Sequence, residues 1–144
     1  MAELILETKN LKFSYEEGPE VIKGISMKIK SGDFIAVIGQ NGSGKTTLVK
    51  HFNGLHQPSS GEILFNGENI AGKQVGALAK KIGYVFQNPD HQIFSATVRE
   101  EIAFGPRNLG LDEAEIEKRT EDALVLFGLK EYENRAPAVI GFGI

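Results

Sequence analysis

The chain has 144 residues, of which 41% are hydrophobic and 24% charged, and its formal net charge is −3. It contains no cysteine, which excludes disulfides, zinc sites built on cysteine and thiol catalysis. The acidic balance, together with the absence of a long basic run, argues against broad electrostatic binding, so no nucleic-acid partner is expected.

The first elements in chain order are predicted to be strands. Residues 4–13 alternate loosely between apolar and polar types, which predicts an edge-type strand, and residues 21–30 hold a second one. A turn at 31–33 leads into the apolar run 34–38, which is typical of a buried strand. These strands therefore lead directly to the most informative segment of the chain.

Residues 39–46 read GQNGSGKT and fit the pattern G-x-x-x-x-G-K-[ST]. The glycines permit a tight loop whose N–H groups converge on phosphate oxygens, and the following helix start adds partial positive charge. Lys45 would reach the β- and γ-phosphates, and the Thr46 hydroxyl would ligate Mg²⁺. A glycine-rich turn that binds nothing is the alternative, but a β-run before the loop and a helical stretch after it favour a site for ATP and Mg²⁺. The candidate binding residues are Gly39, Asn41, Gly42, Ser43, Gly44, Lys45, Thr46 and Thr47.

The next stretch alternates between helix and strand signals. The helix from Lys45 is predicted to end near Gly54, and a loop at 58–61 precedes a strand over 62–65. The Asn66-Gly67 pair predicts a tight hairpin, because both residue types tolerate positive φ. A further buried strand is predicted over 82–86.

Two helices complete the pattern. Thr97 and Glu100 have the spacing of a capping box that opens a helix through about Phe104, and Asp112 and Glu115 repeat it. The second helix would present one apolar face and close at Gly128; this face comprises Ile116, Ala123, Leu124 and Phe127. With early antiparallel and later parallel strands, the fold class is mixed α/β.

A phosphate loop is shared by GTPases, small-molecule kinases and motor-type ATPases. The guanine-reading Asn-Lys-x-Asp sequence is absent, and the arginines are scattered at 99, 107, 119 and 135 rather than gathered in a lid. The residues around the loop therefore have to distinguish between these classes.

Residues 3–137 resemble the N-terminal part of an ABC transporter ATPase subunit. The resemblance implies a P-loop NTPase fold with an antiparallel β subdomain and a parallel core sheet. Tyr15 matches the aromatic residue that stacks on adenine, and Gln87 matches the Q-loop glutamine associated with Mg²⁺, the attacking water and the membrane subunit. Without the resemblance, Tyr15 is also consistent with a half-buried strand aromatic and Gln87 with a strand-end cap. Lys45 and Gln87 are the candidate catalytic residues.

A narrower resemblance lies in residues 85–94, which read VFQNPDHQIF, and continues through 97–110. This continuation is similar to the energy-coupling factor (cobalt-type, CbiO-like) ATPases of vitamin and metal-ion importers. It implies a transmembrane coupling subunit that docks near Gln87, a substrate-binding membrane subunit, and a second ABC ATPase subunit in a homo- or heterodimer. It places the chain at the cytoplasmic face of the cell membrane through these partners. His91 is expected on the docking surface, and His51 and His56 at ordinary polar positions.

From 138 to 144 the resemblance stops. The family continues into a Leu-Ser-Gly-Gly-Gln signature, an apolar strand ending in Asp-Glu (Walker B and the catalytic glutamate), and a switch histidine; none of these occurs in the 144 residues. We therefore expect ATP–Mg binding with poor hydrolysis, and association through an exposed apolar sheet edge. A binding-only regulatory module and a soluble non-transport ATPase of the same superfamily stay open as alternatives.

Overall fold

The computed structural model describes residues 3–16, 18–88 and 92–140. The chain divides into two compact units, Met1–Tyr84 and Val85–Ile144, and each is described by itself. His91 and residues 141–144 of the divergent tail lie outside the described residues.

The first unit is built on a four-stranded antiparallel sheet in the order β2-β1-β3-β4. Its strands are β1 (Leu4–Ser14), β2 (Glu20–Lys30), β3 (Ser60–Phe65) and β4 (Glu68–Asn69). The prediction that β1 is an edge strand is wrong, because β2 and β3 pair with its two sides.

A bulge in β1 explains why its sequence alternates only loosely. Leu6 and Thr8 are buried before the bulge, and Leu11 and Phe13 after it, so the buried positions change from even to odd numbers. Asn10 lies at the change with φ 48°, and the register with both neighbouring strands shifts there. An extra residue in one strand reverses the face of every side chain that follows, which is how β1 keeps its apolar residues in the core.

Helices cover the buried face of this sheet. Helix α1 (Lys45–Phe52) contributes Leu48, and Leu78 of helix α2 (Val75–Ala79) joins the same core. The buried hydrophobic residues of this core are Leu11, Phe13, Ile22, Leu48, Ile63, Ile70 and Leu78. The predicted hairpin is confirmed: Asn66 (φ 49°) and Gly67 (φ 79°) form the turn between β3 and β4.

The predictions of buried strands over 34–38 and 82–86 are wrong. Neither segment is paired in a strand of the described residues, and Phe34, Ile38 and Val85 are 99%, 92% and 84% exposed. A strand needs a neighbour to satisfy its backbone N–H and C=O groups, and neither segment is hydrogen-bonded into the four-stranded sheet of the described residues. The sheet seen here is thus antiparallel, and the predicted parallel portion is not formed by the described residues.

The second unit contains the two predicted capped helices, α3 (Val98–Asn108) and α4 (Glu113–Leu126). The side chains of Thr97 and Asp112 accept hydrogen bonds from the N–H groups of Glu100 and Glu115, as the capping pattern predicts. Helix α3 continues past Phe104 through Pro106, so its predicted end is too early. On α4, Ile116 and Leu124 are buried.

The predicted burial of Phe127 is wrong, since its side chain is 66% exposed. Helix α4 ends at Leu126, and Phe127 is the capping residue beyond the last turn, so it no longer follows the helical face. Arg99 of α3 donates from its guanidinium to Glu117 and Glu121, which links α3 to α4. The same guanidinium donates to Glu133, which follows the 3₁₀ turn Lys130–Tyr132. No helix among the described residues is long and apolar enough to cross a bilayer.

Candidate nucleotide-binding site

The loop over 39–44 has the backbone geometry that a phosphate cradle needs. Gly42 and Gly44 have φ of 81° and 90°, a region that residues with a Cβ rarely adopt. A Cβ on Gly39 would lie 2.7 Å from the Ser43 hydroxyl oxygen, and one on Gly44 would lie 3.2 Å from Ile22 and Val21 of β2. Glycine is therefore favoured at Gly42 and Gly44 by conformation, whereas the Ser43 hydroxyl could rotate away from a Cβ at position 39.

Lys45 reaches back over this loop. Its ammonium donates to the carbonyl oxygens of Gly39 at 2.8 Å and Gln40 at 2.7 Å. The two hydrogen bonds hold the ammonium against the phosphate-loop backbone. An ammonium has three donors, which allows it to keep a loop carbonyl while it binds phosphate oxygens.

The start of α1 supplies backbone donors in the same place. Gly44 precedes the helix and, among the described residues, no side chain caps it. The N–H groups of Lys45, Thr46 and Thr47 precede the first i→i−4 bond of the helix, which runs from Leu48 N–H to the Gly44 carbonyl at 2.8 Å. Uncapped N–H groups and the helix dipole together favour an anion at this end.

The same residues fit a magnesium ion that arrives with the nucleotide. Thr46 is exposed at the first turn of α1, and its hydroxyl is a hard oxygen ligand. No group of three or more His, Cys, Asp or Glu side chains able to hold a metal is present in the described part of the chain. Thr46 would then bind Mg²⁺ together with phosphate oxygens and water, alongside the predicted role of Gln87, as in sites that use substrate phosphates.

Tyr15 lies beside the phosphate loop although it is 32 residues from Thr47 in sequence. Its hydroxyl is 2.9 Å from the Thr47 hydroxyl oxygen, and the residue as a whole is 48% exposed. The Tyr15 ring packs edge to face on the Phe13 ring, with the ring centroids 4.8 Å apart. The structure thus brings Tyr15 and Thr47 together and leaves part of the ring accessible to a base.

Gln87 belongs to the second unit, where it is exposed. Its predicted role toward Mg²⁺ and water stays a prediction. In the same unit, the Gln92 side-chain oxygen accepts a hydrogen bond from the Phe86 N–H at 3.2 Å, so the chain on either side of 89–91 is tied together.

The expectation of ordinary polar positions for His51 and His56 is wrong. His51 is fully buried, and its Nδ1 lies 2.7 Å from the Thr47 carbonyl oxygen one turn earlier in α1. His51 and His56 pack on Phe13, with ring centroids 4.6 and 5.2 Å away. The i, i+4 spacing of Thr47 and His51 on a helix was the signal available in the sequence, since it places His51 on the same buried face.

The buried imidazole of His51 makes stability depend on pH. A carbonyl only accepts, so Nδ1 carries the proton, while Nε2 is buried without a hydrogen-bond partner among the described residues. Burial lowers the pKa of His51, the bond to the Thr47 carbonyl opposes this, and the nearby His56 adds to the lowering. The pKa of His56 is lowered by burial and by Lys50.

We expect the free energy of unfolding to fall as pH decreases below about 6.5, because the unfolded chain then binds protons that these folded imidazoles resist. Urea unfolding followed by circular dichroism at pH 7.5 and 5.5 measures this difference. His51→Leu removes one of the two groups and should reduce the fall by up to about 1.4 kcal/mol per pH unit. An equal pH dependence in wild type and His51→Leu would contradict the assignment.

Comparison with known proteins identifies the class of fold. Residues 22–141 match the ABC transporter family. The solved structure of cbiO1 from Clostridium perfringens, described as part of the ABC transporter complex cbiONQ, superposes with a TM-score of 0.85 at 41% identity, over 97% of this chain and 57% of that one. The chain therefore belongs to the ABC transporter family, and the predicted ABC-type nucleotide-binding α/β fold is confirmed.

Curated relatives within the ABC transporter family indicate a narrower group. The energy-coupling factor transporter ATP-binding protein EcfA of Methanocaldococcus jannaschii is 48% identical over 135 residues, which cover 92% of this chain and 48% of the relative. EcfA of Methanoculleus marisnigri is 50% identical over 133 residues, again 92% of this chain and 48% of the relative. The predicted resemblance to energy-coupling factor ATPases is confirmed. The chain spans about half the length of the curated relatives it matches.

Proposed function

We propose that the chain forms the nucleotide-binding part of an ATPase subunit that energises an energy-coupling factor importer of vitamins or metal ions. One observation carries the proposal: Lys45 lies across the carbonyls of the phosphate loop while Tyr15 contacts Thr47 at the start of the same helix. A charged phosphate site and an accessible aromatic ring then lie on one helix terminus. That is the arrangement a nucleoside triphosphate needs.

Different residues would bind different parts of the nucleotide. The loop amides and the start of α1 would bind the phosphate chain, and Lys45 would neutralise the β- and γ-phosphates. Bound Mg²⁺ would offset the charge of the same oxygens, with Thr46 as its protein ligand. Tyr15 would stack on adenine, because every base presents a π-face to an aromatic ring.

The second unit offers a surface for the membrane partner. Phe94 and Phe104 pack edge to face at 4.5 Å, and they are 64% and 39% exposed. Glu101 holds the segment before α3, because its carboxylate accepts from the N–H groups of Phe94 and Ser95 at 3.2 and 2.8 Å. An exposed aromatic pair on a braced segment suits docking of an apolar helix. We assign this surface to the transmembrane coupling subunit, and we propose a substrate-binding membrane subunit and a second ABC ATPase subunit as further partners.

Substitution of Tyr15 tests the assignment to adenine. Tyr15→Ala should weaken ATP–Mg binding by about 5- to 150-fold, because base stacking contributes about 1–3 kcal/mol. Tyr15→Phe keeps the ring and loses only the hydroxyl, so it should weaken binding less. Isothermal titration calorimetry of both variants gives the comparison. Equal affinities for wild type and Tyr15→Ala would overturn the role of Tyr15, and no binding of ATP–Mg by folded wild type would overturn the proposed function.

A further inference from the structure

His56 is joined to the site through the hydroxyl of Tyr15. The Tyr15 hydroxyl lies 2.9 Å from the Thr47 hydroxyl oxygen and 3.3 Å from Nε2 of His56. Hydroxyl groups both donate and accept, so the Tyr15 hydroxyl can satisfy both contacts at once, with Nε2 of His56 donating or accepting according to its tautomer. The phenol is therefore held from two sides, by the phosphate-loop helix and by the loop that follows it.

The imidazole of His56 is itself fixed in place. Its ring stacks on Phe13 with an interplanar angle of 23°, and it meets Tyr15 edge to face at 5.4 Å. Its backbone N–H donates to the Lys50 carbonyl at 3.1 Å, which ties the loop to α1. The neighbouring Asn53 side chain accepts from the Leu55 N–H at 3.1 Å and braces the same loop. A half-buried side chain with these contacts can hold a partner in one orientation.

The position of Tyr15 makes this orientation matter for the base. Tyr15 follows the last residue of β1, so its backbone lies outside the sheet ladder. Its ring is fixed by Phe13, Thr47 and His56 rather than by cross-strand neighbours. A ring held before the ligand arrives loses less conformational freedom on binding, which strengthens the complex.

We propose that His56 is a positioning residue that holds the Tyr15 ring where adenine stacks, and so acts on the base and not on the phosphates. This inference rests on the proposed function of the site. Among the described residues, the titratable groups that face His56 are Lys50 and His51 of α1 and the Tyr15 hydroxyl. Phe13 of β1 packs on the face of its ring.

Two ligands separate a positioning role from a structural one. ATP–Mg engages Tyr15 and the phosphate loop, whereas tripolyphosphate–Mg engages the loop alone. His56→Leu removes the hydrogen bond and should weaken ATP–Mg binding about 2- to 10-fold, the range expected for one net hydrogen bond, with no change for tripolyphosphate. His56→Gln keeps a polar group that can reach the Tyr15 hydroxyl and should recover much of the ATP affinity.

Calorimetric titration of wild type, His56→Leu and His56→Gln with both ligands gives the test, and Tyr15→Phe serves as a second variant if His56→Leu does not fold. Tyr15→Phe removes the hydroxyl that both His56 and Thr47 contact, so it should lose at least the same factor for ATP–Mg and none for tripolyphosphate. An equal loss for both ligands, or unchanged ATP affinity, would overturn the role of His56. Failure of the wild type to bind either ligand would instead overturn the proposed function.

Discussion

Replacing Lys45 with alanine is expected to weaken ATP–Mg binding by about 10- to 150-fold, the largest effect on binding in this chain. The ammonium donates to the Gly39 and Gln40 carbonyls across the loop opening, where a phosphate chain would lie. A hydrogen bond to a charged group contributes about 1.5–3 kcal/mol, which corresponds to that range of affinity. The variant also leaves the two loop carbonyls facing the phosphates without a cation between them.

The matched control is Lys28→Ala, which removes the same charge from β2. Lys28 pairs with Glu7 at 3.2 Å and its side chain is 63% exposed. A long-range electrostatic effect would weaken binding in both variants, whereas direct contact with phosphate predicts a loss only for Lys45→Ala. Titration with ATP–Mg at two ionic strengths measures both. Similar affinities for Lys45→Ala and Lys28→Ala would contradict the assignment of Lys45.

Replacing Gly61 with alanine is expected to cause the largest loss of stability, on the order of 3 kcal/mol or more of the free energy of unfolding. Gly61 is in β3 with φ 85°, opposite the bulge of β1. A Cβ there would overlap the Asn10 carbonyl group and lie 2.6 Å from the Lys9 carbonyl oxygen. Backbone atoms cannot rotate away as a side chain can, so β1 and β3 would have to separate.

Gly67→Ala isolates the cause of this loss. Gly67 has φ 79°, close to that of Gly61, but a Cβ at Gly67 meets nothing within 4 Å. It should cost only about 1 kcal/mol, the conformational share of the effect. Urea unfolding of both variants compares them, and equal losses would show that φ alone, without the overlap at Asn10, determines the need for glycine at 61.

Short-range signals in the sequence were sufficient to predict the local geometry of the loop, the hairpin and the helix caps. The phosphate loop, the hairpin at Asn66 and Gly67, and the caps at Thr97 and Asp112 depend on short-range geometry, and the structure has them where predicted. Each of these features places its chemical requirement within a few neighbouring residues, which is why a single sequence is enough to find it.

Features that depend on distant partners were not predictable in this way. The bulge at Asn10 exists because Gly61, and Gly24 of β2, make room for it from neighbouring strands. Residues 34–38 have a strand-like composition, yet they are not paired with any strand of the described sheet. His56 reaches the site only because Phe13 and Tyr15 come to it from β1 and the residue after β1. The conformation of the bulge, of residues 34–38 and of His56 therefore depends on tertiary contacts that are present or absent in the described residues.

Direct measurement of ATP binding to the 144-residue chain tests the central claim, that the phosphate loop, Lys45 and Tyr15 bind ATP. Equilibrium dialysis with radiolabelled ATP in the presence of Mg²⁺ gives the stoichiometry and the affinity together. The account predicts saturable binding of one ATP for each chain, displaced by unlabelled ATP. A folded chain that shows no saturable binding would contradict it.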